Sequence, residues 1–157
     1  ELRQLFKGIS IPNAICFTPD GTAAHFADTA QGKVMKVALD AAGWPKDEPQ
    51  VWLDLARAGL NPDGAVIDAE GRFWNAQWGA GRVACYGPDG VFLSAVETPD
   101  APQSSCPAFG GPGLTTLYVT TALEHMDAEM RARHPASGKV FAFPDAGKGL
   151  AEPQVTP

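Results

Sequence analysis

The stretch Ile11-Pro12-Asn13-Ala14-Ile15-Cys16-Phe17-Thr18-Pro19-Asp20-Gly21 decides the fold once it is laid over Asn61-Pro62-Asp63-Gly64-Ala65-Val66-Ile67-Asp68-Ala69-Glu70-Gly71. Pro12 falls on Pro62 at an offset of 50 residues, Phe17 on Ile67, and Asp20-Gly21 on Glu70-Gly71. Downstream, Gly32-Lys33-Val34 matches Gly81-Arg82-Val83. A third copy runs from Ser105-Cys106 through Leu117-Tyr118-Val119 to Gly138-Lys139-Val140. A period of this length is the signature of a repeat architecture.

Each copy holds short strand-like runs. They are Ala14 to Phe17, Ala24 to Ala27 and Val34 to Ala38 in the first, and Ala65 to Asp68, Phe73 to Gln77 and Val83 to Tyr86 in the second. Pro19-Asp20-Gly21, Glu70-Gly71 and Pro88-Asp89-Gly90 separate them with the residues that tight reversals require. Four short antiparallel strands per unit of about 40 to 50 residues describe β-propeller blades. The expectation is an all-β chain of about three four-stranded blades, over 11–54, 61–97 and 105–147. Fourth strands are visible at Val91 to Val96 and Val51 to Leu53, and Leu2 to Phe6 reads as an outer strand of a preceding blade. Asp127 before Ala128-Glu129-Met130-Arg131-Ala132-Arg133 predicts a capped short helix inside the third blade. Residues 146–157 read as a tail.

Composition agrees and narrows the function classes. Among 157 residues, 17 Gly and 14 Pro exclude long helices, while a hydrophobic share of 45% supports a packed core. Twelve Lys and Arg against 18 Asp and Glu give a net charge of -6. No basic cluster is available for nucleic acid or an anionic membrane surface, so neither is an expected partner. No apolar run approaches a bilayer span and no signal peptide is visible, which favours the cytoplasm. Cys16, Cys85 and Cys106 have unrelated spacings, so they read as reduced and mostly buried thiols. The first residue is Glu1 rather than Met, which suggests a fragment or a processed chain.

A propeller brings the starts of its inner strands together at one end of the axis, so equivalent positions in the repeat locate a site. After Pro12 and Pro62 stand Asn13 and Asp63, and Ser105 is their third-blade counterpart. Asp28-Thr29, Gln77-Trp78 and Thr120-Thr121, at the ends of the second strands, should surround that mouth. Oxygen donors presented by different blades suit a hard divalent cation, calcium, magnesium or manganese, with zinc possible. The competing reading is structural: Pro-Asp-Gly is also a turn sequence, Asn13 alone is a cap or turn residue, and Trp78 is mouth packing. His25, His125 and His134 share no metal-ligand spacing, and His25 reads as strand packing. Gly110-Gly111-Pro112-Gly113 lacks the Lys and Ser or Thr of a phosphate loop.

At Ile11-Pro12-Asn13, Pro62-Asp63-Gly64, Trp74, Ala76-Gln77-Trp78-Gly79, Ser105-Cys106, Ala108-Phe109-Gly110-Gly111 and Leu117-Tyr118-Val119-Thr120-Thr121-Ala122 the chain resembles the gluconolactonase, regucalcin and senescence marker protein family. The resemblance implies the C-terminal half of a six-bladed propeller with one divalent metal at the axis, calcium first, that hydrolyses sugar lactones. It further implies that Asn13 and Asp63 are metal ligands and that Asp63 is also the general base. The family's third ligand, a Glu, and further substrate contacts come from its N-terminal half. An N-terminal half, or a second chain, is therefore expected to close the ring. Ala14 departs from the family's usual Gly. The alternative function is a non-catalytic metal-binding or interaction propeller, since a fold by itself does not specify chemistry.

Overall fold

The computed structural model describes residues 2–152, and they form three antiparallel sheets in series. The first contains β1 (Pro12–Phe17), β2 (Ala23–Asp28), β3 (Lys33–Ala38) and β4 (Gln50–Asp54). The second contains β5 (Asn61–Ile67), β6 (Phe73–Trp78), β7 (Arg82–Tyr86) and β8 (Phe92–Glu97). Each pairs in sequence order, as expected of blades. The third consists of β9 (Ser104–Gly110), β10 (Thr116–Thr121) and β11 (Val140–Phe143), one strand fewer than four among the described residues.

The hairpins close where the turn residues predict. Gly21, Gly71 and Gly90 all have positive φ, and each donates its N–H back three residues, to Thr18 O, Asp68 O and Gly87 O. Only glycine enters that backbone region without a Cβ penalty. Cores lie between blades. Cys16 and Ala27 from the first sheet pack with Ile67, Phe73 and Ala84 from the second. The other face of the second sheet, with Trp74, Val83 and Cys85, packs on Leu117 and Val119 of the third. Stacking of this kind places β1 beside β5 and β5 beside β9, so these three inner strands line the axis.

Asp127 caps α1 (Ala128–Arg133) by accepting the Met130 N–H at 2.8 Å, between β10 and β11 as predicted. Two other expectations fail. Leu2 to Phe6 form no strand: Phe6 instead stacks on Phe26 with ring centroids 5.0 Å apart, and the Arg3 guanidinium lies 4.3 Å from the Trp44 ring centroid. Apolar and cationic contacts to the first blade replace ladder pairing there. The segment after β11 is not a free tail, because Lys148 O accepts the Ala69 N–H at 2.7 Å and the Gly149 N–H reaches Leu114 O at 2.8 Å. Among the described residues the chain crosses from the third blade to the Asp68 turn of the second and adds no fourth strand. Residues 153–157 of the expected tail lie outside the described residues.

Candidate functional site

All three inner strands break register near the same end. One extra residue is inserted in β1 between Asn13 and Cys16, in β5 between Pro62 and Ala65, and in β9 at Ser105. A bulge of this kind turns a side chain out of the pleat. Here it brings Asn13, Asp63 and Ser105 into one hydrogen-bonded group. Ala14, next to Asn13, takes a left-handed φ of 54°, a conformation in which its methyl is strained and in which glycine would be relaxed. In β5, Asn75 fixes the bulge from behind. Its side chain is fully buried, and Nδ2 donates to Asp63 O at 3.1 Å and Gly64 O at 3.2 Å.

Asp63 is half-buried. Burial raises its carboxyl above the ordinary carboxylate range, while side-chain hydrogen bonds from Ser105 and Asn13 and the Gly64 N–H oppose the rise. Glu124 adds to the rise through like-charge repulsion. Asn13 Nδ2 also donates to Thr29 Oγ1 at 3.2 Å, and Thr29 Oγ1 donates onward to Pro62 O at 2.6 Å, tying the first blade to the second. With both amide protons directed at oxygens, the Asn13 carbonyl Oδ1 is left as the acceptor of that group. Asp63 and Asn13 thus offer one anionic and one neutral hard donor, a set that fits part of a calcium or magnesium shell. Among the described residues no group of three or more His, Cys, Asp and Glu side chains is gathered for a metal. Any cation here needs ligands from elsewhere.

These residues open into a cleft of 310 Å³. Thr29 and Trp78 line it, as the strand-end argument expects, and so do Ile11 and its repeat counterpart Asn61. The other expected mouth residues turn away. Asp28 accepts the Ser10 and Ile11 N–H groups at 3.0 Å each and caps the 3-10 turn Thr29–Gln31. These donors, led by Ser10, hold its carboxyl below the ordinary range. Gln77 is buried, donating from Nε2 to Tyr86 Oη at 2.8 Å and accepting from Arg82 Nε at 2.7 Å. Thr120 bonds the Cys106 backbone and Thr121 bonds Lys139 O. Cys106 is exposed rather than buried, because it sits beside the β9 bulge at the axial end, against Gly64 and close enough to Asp63 for their charges to interact, whereas Cys16 and Cys85 are buried as expected. Glu124 and His125 also line the cleft and were not anticipated. They sit in the insertion between β10 and α1, which has no counterpart in the repeat.

Residues 1–123 match the profile of the SMP-30/Gluconolactonase/LRE-like region. The chain belongs to this family. It is 44% identical over 98% of its length to a Rhizobium meliloti protein assigned as a sugar lactone lactonase, and 38% identical over 96% to a 6-deoxy-6-sulfogluconolactonase of Pseudomonas putida. Among solved structures, a regucalcin from Agrobacterium tumefaciens, described as a calcium-binding protein, superimposes with a TM-score of 0.93 at 43% identity, covering 98% of this chain. In each case the match takes in 52% of the other protein, so the chain spans about half the length of these relatives. The family membership identifies the three sheets as blades of a partial propeller.

Proposed function

We propose that this chain forms the C-terminal half of a six-bladed propeller and carries part of the active site of a metal-dependent hydrolase that opens sugar lactones. The observation that carries the reading is the triple bulge, which directs Asn13, Asp63 and Ser105 to one point from three blades. The sugar lactonases among the relatives support the substrate class.

Asn13 through Oδ1 and Asp63 through its carboxylate would hold a divalent cation, calcium first and zinc, manganese or magnesium as alternatives, which when bound supplies carbonyl polarisation and a more acidic water. Asp63 then acts as the general base: it takes a proton from the water that attacks the lactone carbonyl. The ring C–O bond breaks, the proton passes to the departing ring oxygen, and the product is the open hydroxy acid. Ser105 and Asn13 hold the Asp63 carboxylate in one orientation, and Asn75 prevents the bulge beneath it from relaxing. The burial that raises the Asp63 carboxyl also makes it a better proton acceptor.

Acid release from aldonolactones by the full protein that carries this chain, with and without a chelator, tests the proposal. Asp63→Asn keeps the shape of the side chain and removes the base. We expect a fall in kcat of about 10² to 10⁴, with the fold retained by circular dichroism. Turnover at the wild-type rate removes Asp63 from the mechanism. Metal binding without any lactone opening supports a non-catalytic binding propeller instead, the reading suggested by the calcium-binding description of the Agrobacterium tumefaciens relative.

A further inference from the structure

We propose, building on the lactonase reading above, that Glu124 is a specificity-determining residue that makes this cleft select neutral lactones over anionic ones. The part of the cleft formed by this chain contains two carboxylates, Asp63 and Glu124, and among the described residues neither Lys nor Arg lines it. Glu124 is close enough to Asp63 for the two charges to interact.

The position of Glu124 is fixed by its backbone, although its side chain is exposed. Gln103, itself buried, donates from Nε2 to Glu124 O at 2.9 Å, and its main-chain carbonyl accepts the Ala122 N–H at 2.9 Å. On the other side Met126 is buried, its carbonyl accepts from Arg131 Nε at 3.0 Å, and the next residue caps α1. Between these anchors His125 takes a left-handed φ of 58°, which turns the chain sharply at the rim. The neighbour of the Glu124 carboxylate is His125 Nε2 at 3.3 Å. The insertion is thus an arm anchored through its main chain that carries a carboxylate and an imidazole at the cleft.

A lactone whose carbonyl faces Asp63 turns its hydroxylated carbons towards this rim. Hydroxyl groups donate to a carboxylate, so a polyol is accepted there. A phosphate, sulfonate or uronate carboxylate has no proton to donate and meets a like charge, with no Lys or Arg in this wall to offset it. Trp78 provides the flat apolar surface against which a neutral ring can lie.

The test uses the full protein with two substrates, an aldonolactone and the same lactone phosphorylated on its terminal hydroxyl, assayed at pH 8. A single charge at this range in a solvated cleft changes affinity roughly five- to tenfold. Glu124→Gln should raise the kcat/KM ratio of anionic to neutral substrate by that factor, through KM rather than kcat. Wild-type discrimination should shrink in 1 M salt, where the screening length is about 3 Å. The salt series needs no variant and therefore stands even if Glu124→Gln folds poorly. A neutral lactone that turns over with a ratio insensitive both to salt and to Glu124→Gln overturns the assignment of Glu124 while leaving the lactonase reading intact. Absence of hydrolysis of either lactone overturns both.

Discussion

His25 shows how a chemically able side chain becomes a packing residue. It is 3% exposed, lies with its ring centroid 4.6 Å from that of Trp52, and neither ring nitrogen has a hydrogen-bond partner. Burial, assisted by Lys36, pushes its pKa down to about 4. An unfolded imidazole titrates near 6.5, so between these values the unfolded chain binds the extra proton and stability falls as the pH is lowered. The penalty is absent above about pH 6.5 and grows to on the order of 3 kcal/mol by about pH 4. His25→Phe should remove it. Urea denaturation at pH 7 and pH 4 should therefore show a smaller acid loss in the variant, and equal losses would mean that His25 does not titrate in the folded core. The sequence placed this residue correctly because a strand run sets its surroundings. The position of Asn13 and Asp63 at the axial ends of their strands was equally legible because the repeat superimposes them. Glu124 was not, since an insertion has no second copy against which to be aligned.

The bulges behave as elements in their own right, and the two better-aligned ones need small residues for different reasons. Ala14 is strained by its φ, whereas Gly64 is confined by a neighbour: a Cβ added there would lie 2.7 Å from Ser105 O and 3.0 Å from Cys106 Cα. Both obstacles are backbone of β9, which cannot rotate aside. Gly64→Ala should push β5 from β9, cost about 1 to 3 kcal/mol in chemical denaturation, and pull Ser105 from Asp63. An unchanged midpoint would show that the two blades slide past each other freely. Turn residues made most strand boundaries readable, and Asp127 with the helix formers after it made α1 readable. The crossing at residues 144–150 was not readable, because its partners, Ala69 and Leu114, are remote in sequence and no local pattern encodes them.

At the scale of the chain, two blade faces have no neighbouring blade among the described residues. On the first blade Ile15 and Phe17 are 66% and 56% exposed, beside an apolar hollow of 430 Å³, and on the third Tyr118 and Val140 are exposed. Solvated apolar area on this scale drives association. Expressed by itself, the 157-residue chain should associate and bind a hydrophobic dye, and light scattering after size exclusion should give masses above 16.5 kDa. A monodisperse 16.5 kDa monomer without dye binding would show that these faces are content in water. The repeat made the number of blades legible; the coverage of their outer faces was not, since a residue bound for a neighbouring blade and one bound for solvent occupy the same strand register. The tie between Lys148 and Ala69 carries a consequence for biogenesis. Within each blade every strand bonds its neighbour in sequence, so each hairpin, the Asp68 turn included, can close as it leaves the ribosome, yet the Ala69 N–H of that turn gains its partner only when Lys148 has been made. Until translation reaches that segment, which lies against Asp68 and Arg72 at Gly147, the outer side of the turn is bare to proteases and chaperones.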